Sequence, residues 1–286
     1  MEPTAVARAR FTVAAAPPQA YFVVSAIFHY LGPSFAVLLF ARVEPLGVAW
    51  LRVASAGAVF ALWRRPWRAL KTGAWRLVIA LGAVLAVMNA CFYLAIDRLP
   101  LGTVAAIEFL PVIVLAALGV RSLRNLAALV LAVAGVYALV DVRLESEPIG
   151  VAFAFANALL FAAYIVLAHR VARSGALAPI DGLAAAMLVA TVAVTPIGGW
   201  SAASALLDPV AIAAGVAVGV TSSVIPYAFD QMAMAKLSRA SYSLMVALLP
   251  ATATVIGLVV LAQVPSALEL AGVALVVAGV ALRREA

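Results

Sequence analysis

The sequence predicts an all-α, polytopic membrane protein with ten transmembrane helices in two inverted five-helix repeats. Three observations predict it. Of 286 residues, 67% are hydrophobic and 11% charged, whereas soluble domains hold about 45–50% and about 25%. The apolar residues, mostly Ala, Leu and Val, form blocks of about twenty residues, the helix length that crosses a hydrocarbon core of roughly 30 Å. The Lys and Arg residues fall mainly on alternate sides of those blocks. This pattern excludes a water-soluble enzyme, a nucleic-acid binder and a coiled coil. The net charge of +7 is then a topology signal, with no nucleic-acid partner expected.

The elements follow in order. Residues 1–19 form an amino-terminal tail with Arg8 and Arg10, and no apolar h-region precedes Pro17-Pro18, so no cleavable signal peptide is expected. The first repeat covers residues 20–145, with spans at 20–40, 46–63, 75–96, 101–120 and 125–140. The second covers residues 146–286, with spans at 149–168, 180–197, 210–235, 240–261 and 268–282 and a short carboxy-terminal tail. Pro33, Pro111, Pro226 and Pro250 fall inside spans, where neighbouring helices can satisfy the freed carbonyls. The fifth and tenth spans are short, which implies little tilt or a locally thinned bilayer.

With these boundaries, 15 of the 19 Lys and Arg residues lie on the side of the amino terminus. Arg42, Arg98 and Arg143 lie on the other side, and Arg52 falls inside the second span. The bias places both termini in the cytoplasm. A missed or false span would scramble the alternation, so the count of ten is supported.

The chain also repeats. Leu131-Ala-Val-Ala-Gly-Val136 matches Leu275-Val-Val-Ala-Gly-Val280 at an offset of 144. Leu99 matches Leu237 and Pro111 matches Pro250, while the first and sixth spans match poorly. Five spans per unit is an odd number, so the second unit enters the membrane inverted. That architecture recurs in secondary transporters, with the substrate site near the midplane between the halves. The alternative is a duplicated scaffold with no transport role.

The two lysines, Lys71 and Lys236, lie outside any phosphate-binding Gly-x-x-x-x-Gly-Lys pattern, so ATP drive has no support. His29 and His169 fall in different spans, and no metal or other cofactor is expected. His-Glu-x-x-His and Gly-x-Ser-x-Gly are missing, and His, Asp and Ser do not cluster at one interface as a membrane enzyme would need. The single Cys91 can form no internal disulfide. The driving force must come from an ion or substrate gradient.

Polar residues inside spans therefore carry the functional signal, because each is costly in hydrocarbon unless it meets a cavity or a partner. Glu108 lies in span four, where a charge near the helix centre costs about 2.5–3.5 kcal/mol. It is expected to face a central cavity lined by spans one, three, four, six, eight and nine, binding a substrate amine or carrying a proton. Its alternative is a protonated glutamate bonded to a neighbouring carbonyl. Asp230, beside Gln231, lies near the cytoplasmic end of span eight, either in the route or among the headgroups. Arg52 could receive a substrate carboxylate, although snorkelling outward is the favoured expectation. Asn89, Asn157, Tyr164, Ser222 and Ser223 could line the route, with helix-to-helix hydrogen bonding the favoured role for each. Tyr227, next to Pro226, joins the candidate site. Gly215-x-x-x-Gly219 permits close helix approach, and five tryptophans near the span ends form an interfacial belt.

Pro45-Leu-Gly-Val-Ala-Trp-Leu-Arg52 at the start of span two resembles the EamA branch of the drug/metabolite transporter superfamily. Within it, Leu99-Pro-Leu-Gly102, Ala106-Ile-Glu-Phe109 with Pro111, and Ser223-Val-Ile-Pro-Tyr-Ala-Phe-Asp230 resemble the threonine/homoserine exporter group. Ala163-Tyr-Ile165 with His169-Arg170 fits the same group, and the resemblance spans about residues 20–284. It implies a prokaryotic plasma-membrane exporter of small metabolites such as amino acids, driven by the proton gradient, with Glu108 and Asp230 at acidic positions of the group. Leu249-Pro250 and Ala262-Gln263 depart from the family's Glu-Pro and Gly-Glu. Import or exchange of other metabolites or drugs is the alternative function. The expected partners are a small-molecule substrate and the lipid bilayer, with monomer and homodimer both open.

Overall fold

The computed structural model describes residues 17–64, 66–119, 122–144, 146–174, 179–227, 229 and 249–282. All regular structure among them is helical. In chain order the α-helices are α1 (Pro18–Leu39), α2 (Pro45–Arg64), α3 (Trp75–Ile96), α4 (Leu101–Gly119), α5 (Leu123–Leu144), α6 (Pro148–Arg173), α7 (Pro179–Gly198), α8 (Pro209–Gly219), α9 (Leu249–Leu261) and α10 (Ala267–Leu282). A π turn, Val220–Val224, continues α8. Among the described residues, six helical stretches are long and apolar enough to cross a membrane: Ala20–Leu39, Pro45–Arg64, Trp75–Ile96, Pro148–Ala168, Ile180–Gly198 and Pro209–Tyr227. Four further apolar stretches are shorter, in α4, α5, α9 and α10. Helix α5 outruns its predicted span because Arg124, Asn125, Asp141 and Arg143 lower the hydropathy of its ends without breaking its backbone bonds.

Proline starts several helices for a local reason. Pro18, Pro148 and Pro209 each stand in the first helical turn, where the missing N–H costs nothing. Asp208 caps α8 by accepting the Val210 N–H at 2.9 Å and an Arg42 Nη1–H at 3.2 Å. The Val210 bond chiefly holds its carboxyl below the usual carboxylate range, with the Ala211 amide and Arg42 adding to it. The tryptophan belt is evident in Trp63, Trp67, Trp75 and Trp200, all exposed near helix ends.

The packing pattern is nearly unchanged when the two halves are exchanged. Helix α2 packs on α7, α4 on α9 and α5 on α10. The pair α3–α6 is matched by α8–α1, α3–α7 by α8–α2, and α4–α6 by α9–α1. The α5–α10 seam shows this at residue level. A Cβ on Gly135 would stand 2.5 Å from the Gly272 carbonyl oxygen, and one on Gly279 would stand 2.6 Å from that of Ala128. An offset of 144 turns the first contact into the second. As α5 advances its partner in α10 recedes, so the two helices are antiparallel. Their starts match as well: Ser122 Oγ accepts the Asn125 N–H, and Ser266 Oγ accepts the Glu269 N–H, each at 3.2 Å. Glu269 Oε2 completes a capping box on the Ser266 N–H at 2.9 Å.

Small residues at such seams let backbones approach, which matters in lipid because the tails are as apolar as the side chains. A bulky side chain at Gly135 must push α5 off α10, at an overpacking cost of about 1–3 kcal/mol. Gly135→Leu is therefore expected to lower the unfolding temperature in detergent by several degrees. Gly73→Ala, which meets nothing within 4 Å, leaves it unchanged. Equal transitions for the two variants would contradict the seam.

Candidate functional site

The site begins with an arginine. Arg52 lies on α2, and Gly215 and Gly219 bring α8 against it: a Cβ at Gly215 would meet Leu51, and one at Gly219 would meet Ser55 Oγ and the Arg52 carbonyl. The small-x-x-x-small pattern is thus used for a close crossing. Arg52 Nε–H donates to Ser223 Oγ at 3.1 Å and Nη2–H to the Ser222 carbonyl at 3.0 Å. Its guanidinium carbon lies 6.0 Å from the centre of the Phe92 ring and 5.6 Å from that of Tyr93 on α3, within cation–π range. Arg52 is 5% exposed. The expectation that it snorkels outward is overturned, because α8 and α3 supply partners within the bundle.

Glu108, also 5% exposed, lies on α4. Its Oε1 accepts an Asn157 Nδ2–H from α6 at 3.2 Å, and Oε2 makes no hydrogen bond among the described residues. Glu108 and Arg52 are near enough for their charges to interact. They are not an ion pair: those among the described residues are Arg42–Asp208, Arg64–Asp181 and Arg98–Asp97, all at helix ends. Four atoms around the two charges are buried with no hydrogen-bond partner within 3.5 Å among the described residues: Tyr30 Oη, Tyr93 Oη, Asn157 Oδ1 and Ser222 Oγ. Such groups are few in native structures, and a functional role or a bound water or ion is a recognised reason for them.

The cluster therefore draws on α1, α2, α3, α4, α6 and the π turn after α8. The reading of the sequence named spans one, three, four, six, eight and nine for the route; the described part of the ninth, α9, adds no residue to this cluster, and the second, which was not named, carries Arg52. Asn157 joins α4 to α6 as a helix-to-helix bond, with Glu108 as its partner. Asn89 is buried but turns back on its own helix, donating to the Leu85 carbonyl at 2.8 Å. Tyr164 and Tyr227 stack at 6.5 Å between ring centres, in a column that continues through Phe161 to Phe109, next to Glu108. Asp230 lies outside the described residues. Tyr30, Tyr93 and Phe92 escaped the reading of the sequence. The available signal was the spacing of Asn89 and Tyr93, four apart and hence on one face of α3.

The chemistry of the cluster is complementary to a negative and a positive group. An arginine edge accepts a carboxylate bidentately, and the free Glu108 oxygen with Asn157 Oδ1 accepts ammonium hydrogens.

Comparison with known proteins shows what the chain is similar to. Residues 148–283 match the EamA-like transporter family. This half of the chain is an EamA-like domain. The curated relatives extend the likeness into the first half. The chain is 29% identical over 251 residues to the threonine/homoserine exporter RhtA of Escherichia coli (strain K12), covering 86% of this chain and 84% of that one. The same figures hold for RhtA of Salmonella typhimurium (strain LT2). A solved crystal structure, 20% identical, covers 93% of this chain and 98% of its own with a TM-score of 0.59, which shows a shared fold. The EamA-like domain contributes Asn157, Ser222 and Ser223, and the other half contributes Arg52 and Glu108.

Asn157→Ala leaves Glu108 Oε1 buried without its donor, which costs about 1–3 kcal/mol. Glu108→Gln keeps a carbonyl oxygen for Asn157 and costs less. Thermal unfolding in detergent should rank Asn157→Ala clearly below Glu108→Gln. The reverse order would contradict the bond.

Proposed function

We propose that this protein is a secondary active exporter of small metabolites, with amino acids of the threonine and homoserine kind as its substrates. It acts at the prokaryotic plasma membrane, with ten spans in two inverted halves and both termini in the cytoplasm. The relatives named above support the substrate class, and the exchange-symmetric packing supports the inverted halves. One observation carries the reading: among the described residues, a buried Arg52 has no carboxylate partner and a buried Glu108 in the same bundle has no cationic one.

The two charges are complementary to an amino-acid zwitterion. The α-carboxylate takes the open edge of Arg52, and the α-ammonium takes Glu108. Neither end then needs a neutral form to enter the apolar interior, where an unpaired charge is costly. The four unpartnered atoms supply hydroxyl and carbonyl groups for a small polar side chain. Release needs the halves to open on the other side, and two near-equivalent halves offer two near-equivalent openings. In the described state the cluster is closed, with Tyr30, Tyr93, Asn157 and Ser222 fully buried.

Proton coupling follows from the same carboxylate. Glu108 holds either the substrate ammonium or a proton, since one charge cannot satisfy both. Release of the amino acid to the outside then leaves Glu108 free to return with a proton. In proteoliposomes loaded with threonine or homoserine, the wild type is expected to drive uphill export when a pH gradient is imposed. Glu108→Gln should abolish the gradient-driven component and lower counterflow at least tenfold. Full gradient-driven export by Glu108→Gln would remove the carboxylate from the mechanism.

A further inference from the structure

The sequence Ser222-Ser223-Val-Ile-Pro226 contains its own cause for how Arg52 is held. In an α-helix the Ser222 carbonyl would accept the N–H of residue 226, and Pro226 has none. The proline ring also presses on that carbonyl. The helix answers with the π turn Val220–Val224, in which the Ile225 N–H reaches the Val220 carbonyl five residues back. Ser222 thereby loses the donor it would have at i+4, and its carbonyl takes Arg52 Nη2–H instead. Ser223 Oγ, one residue on, takes Nε–H.

These two acceptors fill one edge of the planar guanidinium, which carries five N–H donors in a fixed fork. Nη1 and the second Nη2 hydrogen form a further edge, for which no bond within 3.5 Å is formed among the described residues, with the Tyr93 hydroxyl beside the guanidinium. The surroundings fix the turn. Ser25 Oγ–H donates to the Pro226 carbonyl at 3.1 Å, and any side chain at Gly32 would collide with Ser222, so α1 lies directly on it.

We propose that Ser223 and Pro226 are positioning residues: they seat the guanidinium edge-on against α8, so that its further edge presents two parallel donors to the substrate carboxylate. The seat sets the preference for an amino acid over the amine that lacks the carboxylate. This rests on the reading of Arg52 as the carboxylate's receptor. Ser223→Ala removes one of the two acceptors. Pro226→Ala returns an N–H that competes with Arg52 for the Ser222 carbonyl. Each lets the fork swing out of register without touching Glu108.

The test is counterflow by the full chain in proteoliposomes, comparing threonine with its decarboxylated analogue 1-amino-2-propanol. Ser223→Ala and Pro226→Ala are expected to raise the threonine KM about tenfold, the loss expected for one charge-assisted hydrogen bond. The KM for the amine and kcat for both compounds should stay within about twofold, and Ser223→Thr should restore the wild-type ratio. Failure of Ser223→Ala to carry the amine would overturn the positioning role, because a pure carboxylate seat leaves that route intact. Arg52→Gln separates the two levels. If it leaves the threonine-to-amine preference unchanged, or the wild type carries neither compound, the carboxylate reading itself falls. If Arg52→Gln abolishes the preference while Ser223→Ala and Pro226→Ala keep it, the reading stands and the seat is overturned.

Discussion

Two opposite charges held apart inside an apolar bundle set the terms for the rest of this structure. Each costs about 2.5–3.5 kcal/mol to place near a helix centre on insertion scales. Hydrogen bonds to charged groups return about 1.5–3 kcal/mol apiece. Arg52 makes two such bonds, to Ser222 and Ser223, and adds two aromatic faces, so its cost is largely offset. Glu108 makes one, to Asn157, and its cost is not. A direct ion pair would settle both charges and leave nothing for a solute. Holding them near each other but unpaired keeps that interaction available for a molecule carrying the complementary charges.

The duplicated architecture supplies the frame. The seam between α5 and α10 is built from contacts that an offset of 144 exchanges, Gly135 on Gly272 and Gly279 on Ala128. The charged cluster lies among the other helices, and its members come from both halves: Arg52 and Glu108 from the first, Asn157, Ser222 and Ser223 from the second. Symmetry therefore governs the scaffold while the chemistry is asymmetric.

Most of the fold was legible in the sequence because lipid leaves the backbone few options. Hydropathy, the distribution of Arg and Lys, and the Leu-x-Val-Ala-Gly-Val repeat placed most of the described helix ends to within a few residues, while the end of span eight and the start of span nine lie outside the described residues. The site was legible only where a residue is out of place by type. Glu108 and Arg52 stand out in any apolar run. The direction of Arg52 did not follow, since a long side chain can turn either way and only the α8 crossing at Gly215 and Gly219 decides between them. Tyr30 and Tyr93 look like ordinary interior aromatics until their hydroxyls are found buried without partners. The π turn had a readable cause in Pro226, but its consequence for Arg52 needs the packing of α2 on α8. Gln263, which departs from the family's acidic residue, still accepts the Leu101 N–H at 3.1 Å through its side-chain oxygen, a bond that a carboxylate would also make.

The central claim is that one solute bridges Arg52 and Glu108 by its two charged ends, and competition binding tests it most directly. Radiolabelled threonine bound to the purified protein should be displaced by unlabelled threonine. Threonine methyl ester lacks the carboxylate and N-acetylthreonine lacks the ammonium, and the account predicts that each displaces at least tenfold less well. Displacement by both derivatives at the concentrations that suffice for threonine would contradict it.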